Sequence, residues 1–125
     1  MIDSKMTIQE TVIIAKGESE STVILKSGYK NMLIIMPAAW TAADITFLVS
    51  NKPTTGFVKL VKASDESEIT SNASASEAVN MDGTIKEALG ACAYVKIRSG
   101  TSVTPVNQIG PRTLIIVLSR WWYAV

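Results

Sequence analysis

The chain contains no histidine. That absence removes the usual general base near neutral pH, the usual activator of a serine or cysteine nucleophile, and the commonest metal ligand. Neither a Ser-His-Asp nor a Cys-His arrangement can be built. Cysteine is almost missing too. Cys92 stands alone, which excludes an intrachain disulfide and any zinc cage assembled from Cys and His. Its neighbours Ala91, Ala93 and Tyr94 suit a packing residue better than a reactive thiol. A single thiol without disulfides fits assembly in a reducing cytoplasm. No Gly-rich phosphate loop is present, of either the GxGxxG or the GxxxxGK[ST] kind. The expectation is a protein without cofactor, metal or catalytic role.

Charge of one sign is lacking as well. Twelve basic and eleven acidic residues are interspersed and leave a net charge of +1. Binding to nucleic acid or to an anionic membrane draws on Lys and Arg gathered on one face, so neither is expected as a partner. No apolar run reaches the roughly 18 residues of a transmembrane helix. The longest, around MLIIMPAAW, is interrupted by Pro37, and the opening MIDSKMTIQE lacks the apolar stretch of a signal peptide.

What is present is enough apolar material for a core. Apolar residues make up 47% of 125 residues and charged ones 18%, which predicts one folded domain over 1–120 and an aromatic tail over 121–125. Most of the chain reads as short β-segments between turns. Ile8 to Lys16 is rich in β-branched residues and stops at Gly17. Thr22 to Lys26 alternates, with Val23 and Leu25 opposite Thr22, Ile24 and Lys26. Asn31 to Met36 and Arg112 to Arg120 carry the runs MLIIM and LIIVL, apolar on both faces as in central strands. Ile45 to Ser50 and Phe57 to Ala63 flank strong turn chemistry and predict a hairpin. Glu68 to Thr70 and Ala78 to Met81 are weaker strands. Ala91 to Arg98 alternates cleanly, setting Lys96 and Arg98 toward solvent or a neighbouring acid. A helical turn near 83–89 is the one exception, capped by Asp82 or Thr84 and closed by Gly90. About eight short antiparallel strands predict an all-β, jelly-roll-like sandwich.

Two groups of residues invite a functional reading. Asp65, Glu66 and Glu68, with Glu77 and Asp82 downstream, form an acidic stretch that reads as a mobile, solvated loop. Calcium binding and glycosidic chemistry are its alternatives. Trp121, Trp122 and Tyr123 cluster at the end of the sequence, where three large side chains need burial. They fold back on their own sandwich, anchor into a partner, or stack on a sugar. Trp40, in the loop MPAAWTAAD, is a weaker partner-binding candidate and otherwise caps one end of the core.

The stretches NMLIIMPAAWTAADITFLVS and AYVKIRSGTSVTPVNQIGPRTLIIVLSR resemble small structural proteins of tailed bacteriophages, of the capsid cement or decoration kind. The resemblance rests on Met36-Pro37-Ala38-Ala39-Trp40, Thr46-Phe47-Leu48-Val49-Ser50, Val95-Lys96-Ile97-Arg98-Ser99-Gly100-Thr101 and Pro105-Val106-Asn107-Gln108. The middle, 64–90, departs from that pattern, and Asn51 to Gly56 replaces a compact Asp-Gly turn. The resemblance implies a jelly-roll-like virion protein on the capsid exterior, assembled in the host cytoplasm. Its implied partners are the major capsid protein and further copies of itself, as a dimer or trimer. A carbohydrate-binding or structural module of the phage tail is the alternative.

Overall fold

The computed structural model describes residues 7–120, and the aromatic cluster Trp121, Trp122 and Tyr123 lies outside the described residues. Among the described residues, nine strands and one short helix follow in order: β1 (Thr7–Ile14), β2 (Ile24–Leu25), β3 (Asn31–Ile35), β4 (Ile45–Ser50), β5 (Val58–Lys59), β6 (Thr70–Ser71), β7 (Ala78–Asn80), α1 (Gly83–Leu89), β8 (Tyr94–Ser99) and β9 (Arg112–Ser119). They form two antiparallel sheets. One has the order β1-β9-β3-β7, and the other β2-β8-β4-β5 with β6 also on β4.

The pairing is nested. The first strand pairs with the last, β2 with β8, β3 with β7, and β4 with β5 and β6. A long hairpin rolled across two sheets gives this order, which is a jelly roll and not an immunoglobulin-like sandwich. The apolar central strands are where expected, since β9 lies between β1 and β3, and β3 lies between β9 and β7. Inward residues of both sheets make one core, including Val12, Ile34, Leu114 and Ile116 against Ile24, Phe47, Val95 and Ile97. Each such side chain contributes about 1.5–3 kcal/mol by leaving water.

Local departures from the sequence expectation have local causes. The predicted return strand Phe57 to Ala63 holds ladder pairing only at Val58–Lys59, with isolated pairing of Val61 to Glu68. Beyond Lys59 the backbone bonds to residues 67–69, just before β6: the Ile69 amide donates to the Leu60 carbonyl and the Lys62 amide to the Ser67 carbonyl. The helix has Asp82 at its N-cap position without a side-chain bond, and Gly90 closes it at φ −60°, so no left-handed glycine is used. Lys26 is the larger surprise. It shares the inward face with Ile24 and is 1% exposed. Its Nζ donates to the Tyr29 carbonyl at 2.9 Å.

Candidate functional site

The pleat sorts each sheet into two faces, and their outer faces differ in charge. In the β1-β9-β3-β7 sheet, Val12, Leu114 and Ile34 point inward, so Thr11, Ile13, Ile115, Val117, Leu33 and Ile35 point outward. Register aligns them in rows: Thr11, Ile115, Ile35 and Ala78 in one, Gln9, Val117, Leu33 and Asn80 in the next. A third row holds Thr7, Ser119 and Asn31. None of these positions carries a charge. Ile13 is 47% and Ile35 37% exposed, while Leu33, Ile115 and Val117 are partly exposed.

The outer face of the other sheet is charged. Lys96 lies 3.7 Å from Glu20 and 4.8 Å above the Phe57 ring. Lys59 is on β5, across from Leu48. Arg98 is paired with Glu68, so both basic residues of the alternating strand meet an acid. A domain with solvent on both sides has no reason to strip one broad face of charge. The neutral face is therefore the interaction candidate.

The acidic stretch is not a uniform mobile loop. Asp65 and Glu66 are exposed, but Glu68 turns inward. Its Oε2 accepts from Arg98 Nη2, and its Oε1 accepts from the Ser102 amide at 2.9 Å and hydroxyl at 3.1 Å. Arg98 Nε also donates to Thr46 Oγ1 at 3.1 Å. Asp65 Oδ1 accepts from the Ser67 hydroxyl and amide, and these bonds hold its carboxyl below the ordinary carboxylate range. Asp65 and Glu68 thus serve separate local bonds. Among the described residues, no three His, Cys, Asp or Glu side chains converge as a metal cage.

Residues 100–111 form the most firmly tied loop. Gly100 has φ +85°, and a Cβ there would lie 2.5 Å from the Thr104 carbonyl oxygen. Gln108, fully buried, holds the other side. Its Oε1 accepts from the Thr41 amide and from Arg112 Nε, and its Nε2 donates to the Thr41 carbonyl and to Ser99 Oγ. Ser99-Gly100-Thr101 and Pro105-Val106-Asn107-Gln108, two of the motifs behind the phage resemblance, therefore have a structural duty here. At the tips of this loop Val103 is 87% and Ile109 77% exposed.

Trp40 packs partly buried against the core, and its indole N–H donates to the Ala43 carbonyl at 3.1 Å. Its loop and Glu68 both abut residues 100–111, through the Asp44 and Ser102 bonds. Cys92 is partly buried, and burial raises its thiol above the ordinary value. Burial lowers Lys26, partly offset by nearby Cys92. A shallow cleft of about 530 Å³ runs between residues 62–64 and α1, lined by Lys62, Glu87, Ile69 and Ala88 among others.

Sequence reasoning missed the roles of Glu68, Gln108 and Lys26. Lys26 had a usable signal, since it shares the parity of Ile24. Glu68 and Gln108 act across 30 and 67 residues, which spacing cannot reveal.

Fold and surface together define a jelly-roll sandwich with one charged and one neutral broad face. No protein-family description matches the chain, and no curated protein does. A solved structure does match in fold: the SPBc2 prophage-derived protein YomS, with a TM-score of 0.54 over 94% of this chain and 98% of that one. Sequence identity is 12%, so the likeness is one of fold.

Proposed function

We propose that this protein is a structural component of a tailed-phage particle. In this reading it is a cement or decoration protein on the outside of the capsid, clamping neighbouring major capsid protein subunits. The observation that carries the proposal is the charge asymmetry of the sandwich: one broad face uncharged, with Ile13, Leu33, Ile35, Ile115 and Val117 on it, the other carrying Lys59, Lys96 and Glu20, with Arg98 covered by Glu68. The neutral face buries apolar surface at a joint between shell subunits, while the charged face stays in water. Many copies on one shell add modest individual affinities. Support comes also from the jelly-roll order, the motif resemblance, and the fold likeness to a prophage-derived protein. The role requires no catalysis, and Trp121 and Trp122 supply further anchors.

The test is co-sedimentation with shells lacking the protein. Saturable binding is expected, weakened at least about tenfold by Ile115→Lys, since burying an unpaired charge costs more than 1.4 kcal/mol. Lys96→Ala on the opposite face should leave binding unchanged. Failure of the parent protein to bind shells at any concentration would remove the cement role. Loss through Lys96→Ala with Ile115→Lys silent would place the contact on the wrong face.

A further inference from the structure

The edges of the two sheets differ sharply. β2, β5 and β7 are edge strands of two or three residues, too short to template pairing. β1 is an edge strand of eight residues with unbroken register to β9, and its sequence TIQETVII holds no Lys, Pro or Gly. Among the usual devices that blunt an edge, Lys, Pro and a bulge are absent from β1, and Glu10 is its single charge. Among the described residues, only its last two positions are met from outside. Ile14 bridges Ser21, the Ile13 amide donates to Thr22 Oγ1, and the Thr22 amide donates to the Ile13 carbonyl.

Those contacts show which backbone groups face the open edge. The N–H and C=O of Ile13 point outward, so by the pleat alternation those of Thr7, Gln9 and Thr11 do too. The even residues are turned to β9.

We propose that two copies of this chain pair antiparallel through β1, about a two-fold axis at Gln9. The proposal rests on the strand edge and is independent of the virion reading. Continuity of the faces requires inward residues opposite inward ones, so the axis falls on a residue and not between two, and centres at residues 9 and 10 keep most of Thr7 to Ile13 paired. Centring on Glu10 sets two carboxylates directly opposite and spends two of its bonding pairs, Thr7 with Ile13 and Ile13 with Thr7, on a residue already engaged by Thr22. Centring on Gln9 pairs Thr7 with Thr11, Gln9 with Gln9 and Thr11 with Thr7, about six backbone bonds at two per pair. Ile8 then lies opposite Glu10. Like meets like at a two-fold axis, so the neutral outer face is the one that self-pairs without charge repulsion. The product is an eight-stranded sheet with one continuous uncharged face.

Sedimentation velocity on the full chain at micromolar concentration should give a dimer. Mild oxidation of Gln9→Cys should give a reducible covalent dimer, because those two Cβ atoms face each other across the axis. Thr11→Cys, equally exposed on the same face but about four residues from its own symmetry mate, should not, at about 3.3 Å per residue. Gln9→Pro removes a donor that β9 does not use and should yield a folded monomer. A monomer at all concentrations, or equal cross-linking of Gln9→Cys and Thr11→Cys, would overturn the proposal. The cysteine pair decides even if the proline variant does not fold.

Discussion

Glu68→Ala tests the energetics of the fold most sharply. The ion pair with Arg98 is largely out of water, with side-chain exposures of 12% for Glu68 and 8% for Arg98. Truncating Glu68 removes the carboxylate and leaves a guanidinium whose remaining side-chain partner is Thr46 Oγ1. It also frees the Ser102 amide and hydroxyl, so the loop beyond Gly100 loses its tie to residue 68. Breaking a buried pair from one side costs about 3–5 kcal/mol, because a charge stays buried without its counterion. Total stability for 125 residues is about 6–19 kcal/mol, so this loss is a large fraction of it. Replacing both partners, Glu68→Leu with Arg98→Met, removes the stranded charge and should recover most of the loss. Urea unfolding followed by far-UV circular dichroism measures Glu68→Ala and the four corners of the cycle formed by the parent, Glu68→Leu, Arg98→Met and the double variant. A Glu68→Ala loss below about 1 kcal/mol, typical of an exposed pair, would refute the claim that this bridge organises the loop.

Two further perturbations address other parts of the fold. Gly100→Ala combines a left-handed backbone with a contact to the Thr104 oxygen, so it should cost at least about 2 kcal/mol by urea unfolding. A neutral result would mean the 100–105 turn relaxes freely. Lys26, whose folded pKa burial lowers, binds a proton more readily when the chain is unfolded. Stability should therefore rise with pH between its folded value and about 10.4, the burial cost being fully present below that window. Lys26→Met should flatten that rise while losing no more than about 1 kcal/mol at pH 7 from the missing Tyr29 bond. An unchanged alkaline rise would assign it to another group.

The contrast between what the sequence revealed and what it concealed follows the range of the interactions. Pattern within a strand was readable: the doubly apolar runs at 31–36 and 112–120 lie centrally, and Val95 and Ile97 face the core. Phe47 and Ile45 share the inward face, as their alternation implied. The jelly-roll order was not readable from spacing alone, since it depends on which distant strands pair. The charge asymmetry of the two sheets was equally hidden. It appears only once Thr11, Ile115, Ile35 and Ala78 are aligned in one row from strands far apart in the chain. Polarity misled at 64–76, where a run of acids and serines reads as solvent-facing. Glu68 is drawn inward because Arg98, on the outer face of β8, needs a counterion. Trp40, which the sequence offered as a partner contact or as a cap on the core, packs partly buried against the core, while Gln108 was hidden among loop residues despite holding four hydrogen bonds.

The proposed role puts this domain on a phage shell, in contact through its neutral face. Imaging purified particles by cryo-electron microscopy, with and without the protein, tests that directly. The account predicts symmetric extra density of jelly-roll size on the shell exterior, with the β1-β9-β3-β7 sheet toward the capsid and the Lys96 side toward solvent. Particles identical in both samples, or density with the charged sheet against the shell, would contradict it.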